Sequence, residues 1–231
     1  MPNTYFQFKQ FTIHQGNCAM KVSTDACLLG AWANPKSDTK SILDIGCGTG
    51  ILSLMIAQRY PDAIIDAIEI DENAFHQANQ NFIPSKFAHQ LSCNLTSVQN
   101  LVKNSAKKYD AIICNPPYFQ GDLIAKNKEL NIAKHSTALT LAELNDALNN
   151  LLSNDGKAFL ILPHHRLPEL KLNIEQIVFI QDSTHTKCKR VMVKLSKTKT
   201  DLTKNYLLIK DGNGDYSAEF IRLLKPYYLN L

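Results

Sequence analysis

The apolar run Leu43-Asp44-Ile45 breaks into Gly46-Cys47-Gly48-Thr49-Gly50 and passes at once into helical spacing at Leu52, Met55 and Ile56. Glycines at such a turn reach φ > 0 and let a ligand touch the main chain, while the helix behind them offers unpaired N–H groups. Strand, glycine turn and helix in immediate succession commit the chain to an alternating α/β architecture. The punctuation downstream agrees. Strands are expected at 41–45, 63–70, 87–92, 109–114 and 157–162, and helices at 51–60, 72–82, 96–106 and 141–152, the last closed by Asn154-Asp155-Gly156. This order predicts a Rossmann-like, doubly wound, mostly parallel seven-stranded sheet with helices on both faces. Residues 175–180 and 190–197 supply an antiparallel hairpin at one edge. A short helix near 167–172, a last strand at 206–210 and a terminal helix at 218–224 complete the pattern. Phe6, Phe8, Phe11 and Ile13 read as a hairpin packed over the core.

The 231 residues suit one domain: an N-terminal covering segment (1–40), a ligand-binding core (41–163) and C-terminal edge elements (164–231). No run of about eighteen apolar residues and no basic, then apolar leader is present, so a cytoplasmic location is expected; a monomer is expected as well. The six cysteines form no CxxC pair and read as reduced thiols, with no metal site. The net charge of +4 is permissive of a nucleic-acid partner, and its distribution is more informative. Lys187, Lys189, Arg190, Lys194, Lys197 and Lys199 crowd into one stretch and are candidate RNA contacts, or else a solvated strand face.

Three motifs carry chemistry. In the glycine turn, GxGxG preceded by Asp44 departs from the dinucleotide spacing GxGxxG. A carboxylate there repels a pyrophosphate and pairs with an α-ammonium group, such as that of S-adenosylmethionine. Asp44, Gly46, Cys47, Gly48 and Gly50 are therefore candidate cofactor contacts. Glu69, nineteen residues after Gly50, is placed to accept from two ribose hydroxyls, and Asp71 to cap the next helix. Asn94, at the end of the third strand, has a donor and an acceptor for an adenine edge. The third motif, Asn115-Pro116-Pro117-Tyr118, ends the fourth strand. The Asn115 side-chain carbonyl and the Pro116 carbonyl accept both hydrogens of a planar amine, the prolines fix the ledge, and the Tyr118 ring stacks on the base. Accepting both N–H bonds favours pyramidalisation and frees the nitrogen lone pair for methyl transfer by orientation alone.

These residues resemble class I S-adenosylmethionine-dependent methyltransferases acting on exocyclic or amide nitrogens. Phe8-Lys9-Gln10-Phe11 and the stretch from Ala19 to Trp32 look more narrowly like the bacterial tRNA adenine-N6 methyltransferase family that modifies the adenine 3′ of the valine anticodon. The resemblance covers nearly the whole chain. It implies that residues 21–25 lie over the cofactor, with Lys21, Thr24 and Asp25 as contacts, that Asn115 also touches the cofactor, and that His135 helps shape the substrate pocket. Ser23 stands where the family pattern has glycine, and Asn94 where many relatives have aspartate. The Asn115 motif alone leaves other readings open: glutamine-N5 methylation of a release factor, ribosomal-RNA guanine-N2 or DNA adenine methylation, and a non-catalytic RNA-binding module.

Overall fold

The computed structural model describes residues 3–16, 18, 20–116 and 139–231. Pro117, Tyr118 and His135 lie outside the described residues. A short antiparallel hairpin, β1 (Tyr5–Gln7) and β2 (Thr12–His14), precedes helix α1 (Thr24–Trp32). There follow β3 (Ser41–Ile45), α2 (Ile51–Ala57), β4 (Ile64–Glu69), α3 (Glu72–Phe82), β5 (Leu91–Leu95), α4 (Val98–Asn104) and β6 (Tyr109–Cys114). The described chain resumes with α5 (Leu141–Leu151), β7 (Leu152–Pro163), β8 (Asn173–Ser183), β9 (Arg190–Ser196), β10 (Thr203–Lys210) and α6 (Ala218–Leu224).

One sheet holds eight of these strands in the order β10-β8-β9-β7-β6-β3-β4-β5, with β9 antiparallel to both its neighbours and every other pair parallel. The expected antiparallel pair forms, but β10 lies parallel against β8 and takes the edge, making eight strands instead of seven. Three further expectations shift. The short helix expected near 167–172 is a 3₁₀ turn over His164–Glu169. Residues 88–90 form a 3₁₀ turn and the strand begins at Leu91. Asn154-Asp155-Gly156 does not close a helix: α5 stops at Leu151 and these residues lie within β7, where the register against β6 is irregular.

Apolar side chains fill both faces. On one, α1, α2, α3, α6 and the N-terminal hairpin bury Leu28, Leu54, Phe82 and Phe220, with Phe8 and Ile13 from the hairpin, as expected. On the other, α4 and α5 bury Val98, Leu144, Leu148 and Leu151. Helix α1 is buried over Ala26 to Ala31, so it lacks the one-sided periodicity by which a sequence announces a surface helix. Ser23 caps it, its hydroxyl accepting from the Ala26 amide at 3.2 Å. The approach of α1 to α2 is close enough that a Cβ on Gly30 would stand 2.7 Å from Met55 Sδ.

The chain reverses its direction of travel across the sheet between β3 and β6, which are neighbours. Open α/β sheets leave a crevice at the carboxyl ends of their strands at such a switch point.

Candidate active site

Register places the predicted residues in one row. Ile45 of β3 pairs with Ile68 of β4 and Cys114 of β6, so Gly46, Glu69 and Asn115 each leave their strand at the same level, on three adjacent strands. Asn94 of β5 pairs with Ile68, one step along, and is exposed. Asn115 is half-buried and Pro116 buried.

The glycine turn has the backbone its sequence requires, with φ of 69°, 56° and 80° at Gly46, Gly48 and Gly50. A Cβ on Gly50 would lie 2.3 Å from Phe82 Cε1, so this glycine is demanded by helix α3. Among the described residues, nothing stands within 4 Å of such a Cβ on Gly46 or Gly48. They border open space, where a ligand can meet the main chain. The turn is held from below: the Gly46 and Cys47 amides donate to the Ile68 carbonyl at 2.9 and 3.1 Å. Buried Asn81 of α3 donates to the carbonyls of Thr49 and His14, both at 2.9 Å, tying the turn to the N-terminal hairpin.

Asp44 is fully buried. Its Oδ2 accepts from the Ser53 amide (3.1 Å) and hydroxyl (2.7 Å), while Oδ1 has no partner among the described residues. Burial pushes its carboxyl up to about 7, against the pull of the two Ser53 hydrogen bonds. A buried carboxylate oxygen with no donor is costly, and a cation at the turn would relieve it. Glu69 accepts at Oε1 from the Ile70 and Asp71 amides (2.8 and 3.0 Å) and at Oε2 from the Gly48 amide (2.8 Å). These bonds fix its orientation and leave lone pairs for further donors, because a carboxylate accepts about four bonds. Asp71 caps α3 as expected, accepting from the Ala74 amide. The open glycine cradle, the orphaned Asp44 oxygen and the oriented Glu69 carboxylate together fit an amino-acid-bearing nucleoside such as S-adenosylmethionine.

The N-terminal segment spans this row. Buried Cys18 is near enough to Glu69 and Asp71 for their charges to join burial in raising its thiol. At the far side, Asp25 pairs with Arg190 at 3.1 Å, and Arg190 also bonds Asp182. Lys21 and Thr24 are exposed between these anchors. Burial raises the Asp25 carboxyl, and the Arg190 guanidinium works against it.

The basic stretch is divided by the direction of β9. Lys187, Lys189 and Arg190 stand at the catalytic edge of the sheet; Lys194 is level with Ile113, at mid-height, and Lys197 and Lys199 follow the far end of β9. Lys194 is ion-paired with Glu175 at 3.4 Å, and Lys197 donates to the Leu152 carbonyl at 2.7 Å. The six cannot act as one patch, because seven strand residues span about 20 Å.

Sequence reasoning missed Ser53, Asn81 and the Asp25–Arg190 pair. Ser53 had a signal, being the one polar residue in Ile51-Leu52-Ser53-Leu54-Met55-Ile56-Ala57. The pair had none, since its members are far apart in the chain. All six cysteines are free, and Cys47 and Cys93 stand 3.6 Å apart, sulfur to sulfur, beside the glycine turn.

Residues 23–165 match the methyltransferase small domain family. Over its full length the chain is 36% identical to a tRNA1(Val) (adenine(37)-N6)-methyltransferase of Cytophaga hutchinsonii, covering 100% of both chains. Identity is 41% to proteins of the same description from Dyadobacter fermentans (98% of each chain) and Pseudoalteromonas translucida (98% of this chain, 99% of the relative). Among solved structures, an Agrobacterium tumefaciens protein described as a predicted O-methyltransferase superposes with a TM-score of 0.69 at 16% identity, covering 90% of this chain and all of that one. The M. capricolum TrmK complex with S-adenosyl-homocysteine superposes at 0.52 and 16%, covering 78% and 70%. At that identity the two structures speak for the fold. The family model and the full-length relatives go further: the chain belongs to the methyltransferase small domain family and, within it, to the tRNA1(Val) (adenine(37)-N6)-methyltransferases.

Proposed function

We propose that this chain transfers a methyl group from S-adenosylmethionine to the exocyclic N6 of an adenine in tRNA, adenine 37 beside the valine anticodon, acting in the cytoplasm as a monomer. The observation that carries the chemistry is the single row of Glu69, Gly46 and Asn115 at the carboxyl ends of β4, β3 and β6. It brings a cofactor cradle and an amine-accepting ledge together at the switch point. The full-length relatives support the choice of substrate.

When bound, S-adenosylmethionine supplies an electrophilic methyl group. Asp44 Oδ1 and the Gly46 to Gly48 main chain hold its amino-acid end, Glu69 its ribose and Asn94 its adenine edge, with Lys21, Thr24 and Asp25 on the segment above. Asn115 Oδ1 and the Pro116 carbonyl each accept one hydrogen of the target amine, so the nitrogen lone pair projects away from the ledge. The motif gives Pro117 the role of stiffening the ledge and Tyr118 that of stacking on the target base; both lie outside the described residues. The ledge is preorganised by a proline and a buried strand end, so little reorganisation accompanies reaction.

Labelled S-adenosylmethionine offered with total tRNA from a strain lacking this gene, and in parallel with purified release factor, tests the reading by nucleoside analysis. N6-methyladenosine in tRNA is the expected product. Label in release factor alone, or none in tRNA, overturns it. Asn115→Ala is expected to lower kcat on the order of a hundredfold with cofactor binding mostly kept. Equal losses in both would remove Asn115 from its role.

A further inference from the structure

At the outer edge of the sheet, on the face that carries α4 and α5, three rings run across the strands in a line. His164, just past the end of β7, meets Phe179 of β8 edge-on at 5.3 Å and 80°. Phe179 in turn stacks on Tyr206 of β10 at 5.1 Å and 22°. Tyr206 is 74% exposed. Packing accounts for one face of that ring, the one on Phe179, and leaves the other in water. A large aromatic held flat against a neighbour and open on its far side is a stacking surface.

Cations flank it. Side chains alternate along β10, so Lys204, Tyr206, Leu208 and Lys210 share one face, with about 7 Å between successive members. Both lysines are exposed, and neither is in an ion pair among the described residues. Lys189 joins the line from above: its carbonyl accepts from the His164 amide at 2.9 Å. The exposed Tyr206 and His164 rings, backed by Phe179 and set among unpaired cations, match a strand of unpaired nucleotides, with bases on the rings and phosphates on the ammonium groups. A paired helix offers its phosphates but no base faces.

Placement ties the line to the reaction. Phe179 is level with Leu162 through Val191, and Ile161 is level with Asn115, so the rings stand at the height of the catalytic ledge. Three and four strand spacings of about 4.8 Å separate Phe179 and Tyr206 from β6. That reach of about 14–19 Å suits nucleotides a few positions from a target base lying on the ledge.

We infer that His164, Phe179 and Tyr206, with Lys204 and Lys210, form a platform that stacks unpaired loop nucleotides of the RNA substrate beside the methylated adenine. The inference rests on the RNA reading above. The test measures binding of the full chain to an RNA hairpin with the anticodon stem-loop sequence and to a fully paired duplex of equal length, alongside methyl-transfer kinetics on tRNA. Tyr206→Ala is expected to weaken hairpin binding about tenfold and to raise the KM for tRNA in proportion. Duplex binding, kcat and the cofactor Kd stay as they were, the last showing that the fold is intact. Tyr206→Phe is expected to restore binding, because the ring and not the hydroxyl carries the effect. Lys204→Glu with Lys210→Glu lowers the salt dependence of hairpin binding by roughly one to two charges. Tyr206→Ala binding the hairpin like the parent chain, or losing hairpin and duplex equally, overturns the platform while leaving tRNA methylation in place. A parent chain that neither binds nor methylates RNA overturns both.

Discussion

The two halves of the sheet that meet between β3 and β6 are built from different materials. In the half formed by β3, β4 and β5, the site is made of main chain: three glycines at positive φ, amides on the Ile68 carbonyl, and a Glu69 carboxylate held by three backbone amides. In the half formed by β7 to β10, contacts run from side chain to side chain across strands: Asp25 and Asp182 on Arg190, Lys157 and Lys194 on Glu175, and the His164-Phe179-Tyr206 rings. A cofactor of fixed shape is met by fixed backbone. The platform proposed for the RNA lies in this second half, on exposed side chains such as Tyr206.

The comparison breaks most sharply at Gly50. A Cβ there meets both a left-handed backbone and the Phe82 ring at 2.3 Å, so Gly50→Ala is expected to cost about 3 kcal/mol or more in urea unfolding. Gly48→Ala has the same backbone problem but open space around it; it should cost about 1–2 kcal/mol of stability and act mainly on cofactor affinity, where its methyl enters the cradle. Equal stability losses in the two variants would mean that the contact with α3 does not decide the turn.

Next in size is the titration of Asp44. Its carboxyl lies at about 7 in the folded chain and at about 4 when unfolded. The folded state therefore holds a proton that the unfolded chain gives up, and the stability this brings is complete below about pH 4 and lost as the pH rises toward 7. Between pH 5 and 7 the ligand-free protein should lose stability relative to Asp44→Asn by about 1 kcal/mol per pH unit. S-adenosylmethionine reverses the preference, since an ammonium partner favours the anion; its affinity should rise with pH through 7 in the parent chain and stay flat in the variant. A flat profile in both would show that Asp44 meets no cation.

This difference in materials also decides what the sequence could disclose. Gly46, Gly48, Gly50, Glu69 and Asn115 act through local backbone or from strand ends, so spacing along the chain was enough to bring them together. Helix α1 was hidden because residues from Ala26 to Ala31 are buried on every side and carry no periodicity. The outer strand β10 was ambiguous for the opposite reason: Lys204, Asn205 and Tyr206 are all exposed, so only the second half of the strand alternates in burial. Arg190 looked like a phosphate contact because its neighbours are basic, yet its guanidinium is paired with Asp25 and Asp182. Charge along a chain does not specify which end of a strand each residue occupies, and β9 carries its basic residues to both ends.

The smallest predicted effects sharpen that last point. Lys187 and Lys189 are exposed at the catalytic edge, and Lys187→Glu with Lys189→Glu is expected to weaken RNA binding about tenfold and to reduce its salt slope by roughly one to two. Lys199 is equally exposed but follows the far end of β9, across the height of the sheet from Asn115. Lys199→Glu should therefore change RNA affinity less than twofold and leave the salt slope alone. Filter binding at several salt concentrations reads both variants. If Lys199→Glu weakens binding as much as the pair does, the RNA must wrap past the catalytic edge to the amino ends of the strands, and the two ends of β9 do not divide the labour.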